Sequence, residues 1–125
     1  LKYLYLYSMI TELLTLQNQL RIFHWATESY AEHKALGKAY EELDDLIDEL
    51  IEVFQGKYAR IKSKDGFNIK LDNYGGSISD FLDGNITYLT NMDKGLEEGY
   101  NDELLNIRDE MIAVLQKLKY LLTLK

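Results

Sequence analysis

Residues 29–56, SYAEHKALGKAYEELDDLIDELIEVFQG, decide how this chain folds. Ser29 precedes Glu32 by three positions, the spacing of a capping box in which a hydroxyl and a carboxylate satisfy the free amides at a helix start. From there Leu36, Tyr40, Leu43, Ile47, Leu50 and Phe54 recur at intervals of three and four. That is the period of a helix buried along one side, so the stretch predicts a long, strongly acidic helix ending between Gly56 and Ile61.

Working outward, the preceding segment from Leu4 to Ala26 places Ile10, Leu13, Leu14, Gln17, Leu20 and His24 on one face, which puts His24 on the buried side of a first helix. After the second helix the period is lost between Lys62 and Ser77. Asp65-Gly66, Asn73 and Gly75-Gly76 are turn signals there, and the alternation Phe67-Asn68-Ile69-Lys70-Leu71 suggests a short extended stretch within an ordered loop. Ser77 to Asp80 resembles a second capping pattern. It opens a stripe of Ile78, Phe81, Leu82, Asn85, Leu89, Met92 and Leu96 that predicts a third helix to about Glu98, closed by Gly99. Asn101 is placed to cap a fourth, whose face of Leu104, Arg108, Met111, Leu115, Leu118 and Leu122 is widened by Leu105, Ile112 and Leu121.

Connection lengths then set the topology. The short first and last turns force antiparallel neighbours. The middle connection, roughly 16 residues at about 3.3 Å each, spans on the order of 50 Å, enough to run beside a helix of about 40 Å. The expectation is a single all-α domain over residues 1–125, a four-helix bundle with a long crossover between the second and third helices.

Composition narrows the function. Cys and Pro are absent, which excludes a disulfide scaffold and thiolate chemistry. A net charge of -7 with no terminal Lys or Arg run argues against DNA and anionic lipid as partners. The most apolar stretch, Tyr3 to Leu16, is interrupted by Ser8, Thr11 and Glu12 and falls short of a membrane span, and no signal-peptide pattern accompanies it. A soluble, cytoplasmic protein is expected, and the missing initiator Met suggests trimmed ends. Tyr3, Tyr5 and Tyr7, among the ten tyrosines, are assigned to packing or an interface.

Nothing in the chain offers a nucleophile or a phosphate cradle, but imidazole and carboxylate together suit borderline divalent ions. The two histidines, His24 and His33, flank the first turn. Asp48 and Glu52 lie one turn apart on one face of the second helix and can share a cation. Taken singly, His24 reads as a buried structural residue beside Trp25, His33 as a surface residue near a helix start, and the carboxylates as part of a solvated acidic face with Asp44, Asp45 and Glu49. The combination is what reads as a metal site.

That site carries a geometric condition. His33 and Asp48 are separated by roughly 22 Å of helix, too far to share an ion within one chain. If the second helix packs antiparallel on its own copy, with a two-fold axis near Glu41 and Glu42, His33 of one chain meets Asp48 and Glu52 of the other, and two identical sites result. The small residues Ala35, Gly37 and Ala39 would permit close approach.

His24-Trp25, the second histidine His33, and Asp48 with Glu52 four residues later resemble the Dps-type miniferritins of the ferritin-like superfamily. Glu97-Glu98-Gly99-Tyr100-Asn101-Asp102 followed by Leu104-Leu105 looks like that family's final hairpin. The resemblance implies a ferritin-like four-helix subunit, a twelve-subunit hollow shell, and oxidation of Fe(II) to Fe(III) at sites shared between two-fold-related subunits, with His24, His33, Asp48 and Glu52 as metal-binding and catalytic residues. Zn(II) is the expected competitor. The chain departs from the family in a shorter spacing between the histidines, in Gly37 where many members carry an additional Asp, and in lacking a basic N-terminal tail at Leu1-Lys2-Tyr3. The rival readings are a non-catalytic ferritin-like structural or interaction protein and a dimer pinned by zinc.

Overall fold

The computed structural model describes residues 2–73, 76–96 and 99–124, with the side chains of residues 2–4 and 6 left aside. The Tyr3 side chain, Gly75 in the expected turn, and Glu97-Glu98 at the expected end of the third helix therefore lie outside the described residues. The regular structure is all helical: α1 (Lys2–Ala26), α2 (Tyr30–Lys57), α3 (Ile78–Thr90), a 3-10 turn (Met92–Gly95) and α4 (Asp102–Leu121). Among the described residues there is no strand, and Phe67 to Leu71 is irregular.

The start of α2 follows from its sequence. The Ser29 hydroxyl accepts the Glu32 amide at 3.2 Å, which stabilises the helix by about 1 kcal/mol. The return half of the box is relayed: the Ser29 amide donates to the Thr27 hydroxyl, and that hydroxyl donates to the Glu32 carboxylate. The predicted stripe is buried at Leu36, Leu43, Ile47, Leu50 and Phe54, while Tyr40 is half-buried. It joins one core with Met9, Leu13, Leu16 and Leu20 of α1 and Leu104, Met111, Leu115 and Leu118 of α4. Each buried leucine contributes about 1.5–3 kcal/mol.

The face of α1 is rotated from the expected one. Met9, Ile10, Leu13, Leu16, Leu20 and Phe23 are buried, whereas Leu14, Gln17 and His24 are half-buried. The cause is the segment that follows α2, which covers a further part of α1. Gln19, only 3% exposed, donates its amide to the Asp72 carbonyl and accepts the Asp72 amide, both at 2.8 Å. Tyr7 stacks on Phe67 with ring centres 5.5 Å apart. The Asp65-Gly66 signal is a turn, with Gly66 at φ 78° and its amide on the Ser63 carbonyl.

The third helix is shorter than its stripe, because α3 stops at Thr90. Side chains from neighbouring helices take the carbonyls near its end. Arg108 donates to Leu89 and Thr90, and the Tyr5 hydroxyl donates to Met92 at 2.9 Å. With those acceptors satisfied the chain tightens into the 3-10 turn that carries Met92 into the core. Asn101 likewise departs from its expected role: it stands at the start of α4, but its side-chain oxygen accepts the Tyr58 hydroxyl instead of capping the helix.

Contacts fix the helix pairings. α1 packs on α2, α2 on α4 and α3 on α4, while Phe23 meets Phe81 edge-on with ring centres 5.4 Å apart. Ion pairs Lys57–Glu103 and Asp83–Lys119 tie the helix ends across the last two pairings. Among the described residues no helix is long and apolar enough to cross a membrane.

Candidate metal centre

His24 in the last turn of α1 and His33 in the first turns of α2 lie three and four residues to either side of the Thr27–Ser29 turn, so the hairpin brings them together. Their rings stack at 3.8 Å between centres, 16° from parallel. Each Nδ1 points at the backbone of the other residue: His24 Nδ1 is 2.6 Å from the His33 carbonyl, and His33 Nδ1 is 2.8 Å from the His24 carbonyl. A carbonyl oxygen only accepts, so both Nδ1 atoms carry the proton and donate. In the neutral rings this leaves both Nε2 lone pairs for a ligand, the tautomer that metal-binding histidines adopt when a carbonyl holds the other nitrogen.

The surroundings hold this arrangement. Tyr40 presents its edge to His24 at 5.2 Å between ring centres, and Arg21 lies over the Tyr40 ring at 4.8 Å while pairing with Asp44. Gln17 also donates to Asp44 at 2.7 Å, so that carboxylate is engaged within its own chain. An open pocket of 580 Å³ adjoins the histidines, lined among others by Lys34, Gly37, Lys38 and Glu41 of α2 and by Leu121 and Leu124. Trp25, next to His24, is 68% exposed and contributes to neither the stack nor that lining.

Asp48 and Glu52 lie one turn apart on α2, both exposed and without a hydrogen bond or ion pair to a described residue. The unbroken helix from Tyr30 to Lys57 keeps Asp48 roughly 22 Å from His33. The structure thus brings the histidines to each other and the carboxylates to each other, but not the two pairs together. Among the described residues no three His, Asp or Glu side chains of one chain converge on a metal position.

Gly37 and Ala39, expected to ease contact between helices of two chains, are buried within their own chain; Ala35 is half-buried. Gly37 lies under the His24 ring. The reciprocal histidine clamp and its Tyr40–Arg21–Asp44 support are features the sequence analysis missed. The similar distances of the two histidines from the hairpin turn, three residues before Thr27 and four after Ser29, were the available signal.

Burial pushes Tyr5 up to about 12, with Asp93 adding to the effect, and burial also raises Tyr88. The hydrogen bond from Lys57 holds Glu103 below the ordinary carboxylate range.

No curated protein and no solved structure matches the chain. A family model does match over residues 24–122, a span that begins at His24 and contains all four candidate ligands, and by that match the chain belongs to a family of unknown function, DUF5856.

Proposed function

We propose that this protein is a Dps-like iron-binding protein that oxidises Fe(II) at sites shared between two-fold-related copies of the chain. Iron is substrate and cargo, oxidised to Fe(III) by dioxygen or peroxide and stored in a hollow shell of subunits, and Zn(II) competes for the same ligands. The observation that carries the reading is the reciprocal clamp of His24 and His33, which engages both Nδ1 atoms with backbone carbonyls and leaves Nε2 as each ring's remaining nitrogen for a ligand. The second copy supplies Asp48 and Glu52, which stand exposed and unengaged.

The charges along α2 favour the same pairing. Lys34, Lys38, Glu41, Asp45, Asp48 and Glu52 recur at intervals of three and four and share one exposed stripe, basic at its start and acidic beyond. When two such helices pack antiparallel about Glu41 and Glu42, Lys34 faces Glu49 of the second copy and Lys38 faces its Asp45. The register that delivers His33 to Asp48 and Glu52 thus also sets these opposite charges against each other, with Glu41 meeting Glu42 of the second copy at the axis.

A ferritin-like bundle with a crossover is supported by the path of the segment after α2. Phe67 lies against Tyr7 near the start of α1, and Asp72 lies against Gln19 farther along it. Such a path carries the chain back along the bundle before α3 begins.

Aerobic Fe(II) oxidation by the purified protein tests the reading. Wild type is expected to turn over iron, and the Asp48→Ala, Glu52→Ala double variant is expected to fall to the background rate. Equal rates for the two would refute the enzyme. Binding of Zn(II) without iron turnover would favour the zinc-pinned dimer, and neither binding nor turnover would leave a structural protein.

A further inference from the structure

Gly37 stands one turn after His33 on α2, buried, with the His24 imidazole across its α-carbon. A Cβ at this position would lie 2.7 Å from His24 Cε1 and 3.0 Å from Nδ1, well inside the roughly 3.5–4.0 Å of an ordinary carbon contact. Retreat toward the adjoining pocket would part the ring from its neighbours. His33 is stacked on it at 3.8 Å, Tyr40 meets it edge-on, and its Nδ1 is tied to the His33 carbonyl. Any side chain at 37 therefore breaks the stack or the Nδ1 bond.

The same position is the one from which a carboxylate would join His33 on a cation, because residues four apart share a helix face. Glycine supplies no donor there, and the His24 ring fills the room. We propose that Gly37 is the positioning residue for His24 and that it restricts the site to a single cation per chain, held by one Nε2 of the stacked pair, since rings 16° from parallel cannot both aim a lone pair at one ion, and by the second copy's Asp48 and Glu52. The single-cation part rests on the shared-site reading above. The positioning part does not.

The experiment uses the full chain and its two histidines as probes. In the metal-free protein, long-range proton–nitrogen spectra of wild type should show both imidazoles protonated at Nδ1. Gly37→Ala should shift the His24 signals and lose its slowly exchanging Nδ1 proton. Titration with Co(II) should saturate at one ion per chain in wild type, and Gly37→Ala should bind about tenfold more weakly with an altered visible spectrum. His24→Ala opens the space a Cβ needs, so the His24→Ala, Gly37→Ala double variant should be more stable than Gly37→Ala alone, including where the latter does not fold. Unchanged His24 signals in Gly37→Ala, or a double variant no more stable than the single, would overturn the positioning role. Two Co(II) per chain would overturn the single-cation limit, whereas no Co(II) uptake by wild type would remove the shared site and that limit with it, leaving the spectra to decide the role of Gly37.

Discussion

His24 and His33 each donate Nδ1–H to the other's backbone carbonyl, at 2.6 and 2.8 Å, with their rings stacked between the two bonds. The pair is both a staple across the α1–α2 hairpin and a means of orienting two ligands. The bonds cross, so each histidine contributes a ring and a carbonyl, and truncating one side chain affects the surroundings of the other.

Truncation of the pair should therefore be non-additive. Histidine-to-alanine changes at 24 and 33, singly and together, are expected to give a coupling energy of about 0.5–1.5 kcal/mol in urea denaturation, the range of stacked ring pairs and contacting residues. Additive losses would mean that the stack contributes nothing beyond two separate hydrogen bonds.

How much of this was legible in the sequence differs from residue to residue. The α2 stripe from Leu36 to Phe54 was readable because the helix is buried on one side only, and the Ser29 cap because its chemistry is local. The face of α1 was not. Gln19 is polar and reads as a surface residue, yet it is buried because its partner is the backbone of Asp72, 53 positions away. The early end of α3 depends in the same way on Arg108 and Tyr5, which arrive from other helices. At the candidate site, residue types and spacing singled out His24, His33, Asp48 and Glu52, and the fold brings the two histidines together. The meaning of Gly37 lay in a contact between two helices that no single-helix pattern contains.

The Gln19 clamp should be among the costliest polar contacts to disturb. Gln19→Glu keeps the shape and the acceptor for the Asp72 amide, but an ionised carboxylate has no proton to offer the Asp72 carbonyl. A loss of about 2–3 kcal/mol is expected at neutral pH, with early proteolysis in the segment from Tyr58 to Ser77. Protonating the introduced carboxyl restores a donor, so the deficit relative to wild type should shrink as pH falls. A deficit independent of pH would indicate that packing, not the hydrogen bond, holds the segment.

Tyr5 predicts the alkaline limit of the fold. Its folded value, near 12, stands above the ordinary 10, so the native state favours the neutral phenol. The associated stability is fully present below pH 10 and is lost as pH rises from 10 towards 12, where the unfolded chain releases the proton first. Urea midpoints measured across that window should decline, and Tyr5→Phe should reduce the decline while costing about 1 kcal/mol at neutral pH for the lost bond to the Met92 carbonyl. The Tyr88 hydroxyl is buried and has no hydrogen-bond partner among the described residues. Tyr88→Phe should accordingly be neutral or stabilising by up to about 1 kcal/mol, and a clear loss of stability would show that the hydroxyl has a bound partner.

The last prediction concerns the register of two α2 helices. Under the proposed pairing Lys34 faces Glu49 of the second copy and Lys38 faces its Asp45, and all four are exposed in the single chain. Lys34→Glu with Lys38→Glu should weaken self-association by about tenfold or more at low salt, because each two-fold pairing then gains four like-charge contacts in place of four attractive ones. Asp45→Lys with Glu49→Lys should do the same, and the two sets combined in one chain should associate again because the signs are complementary once more. Sedimentation at two ionic strengths distinguishes this from unfolding: raising the salt should narrow the difference between wild type and the reversed variants, since exposed charges are screened within about 10 Å at 0.1 M. Failure of the combined variant to recover would count against this register, and with it against the delivery of His33 to Asp48 and Glu52. Fe(II) oxidation should follow association through the whole series, because each site takes ligands from both chains.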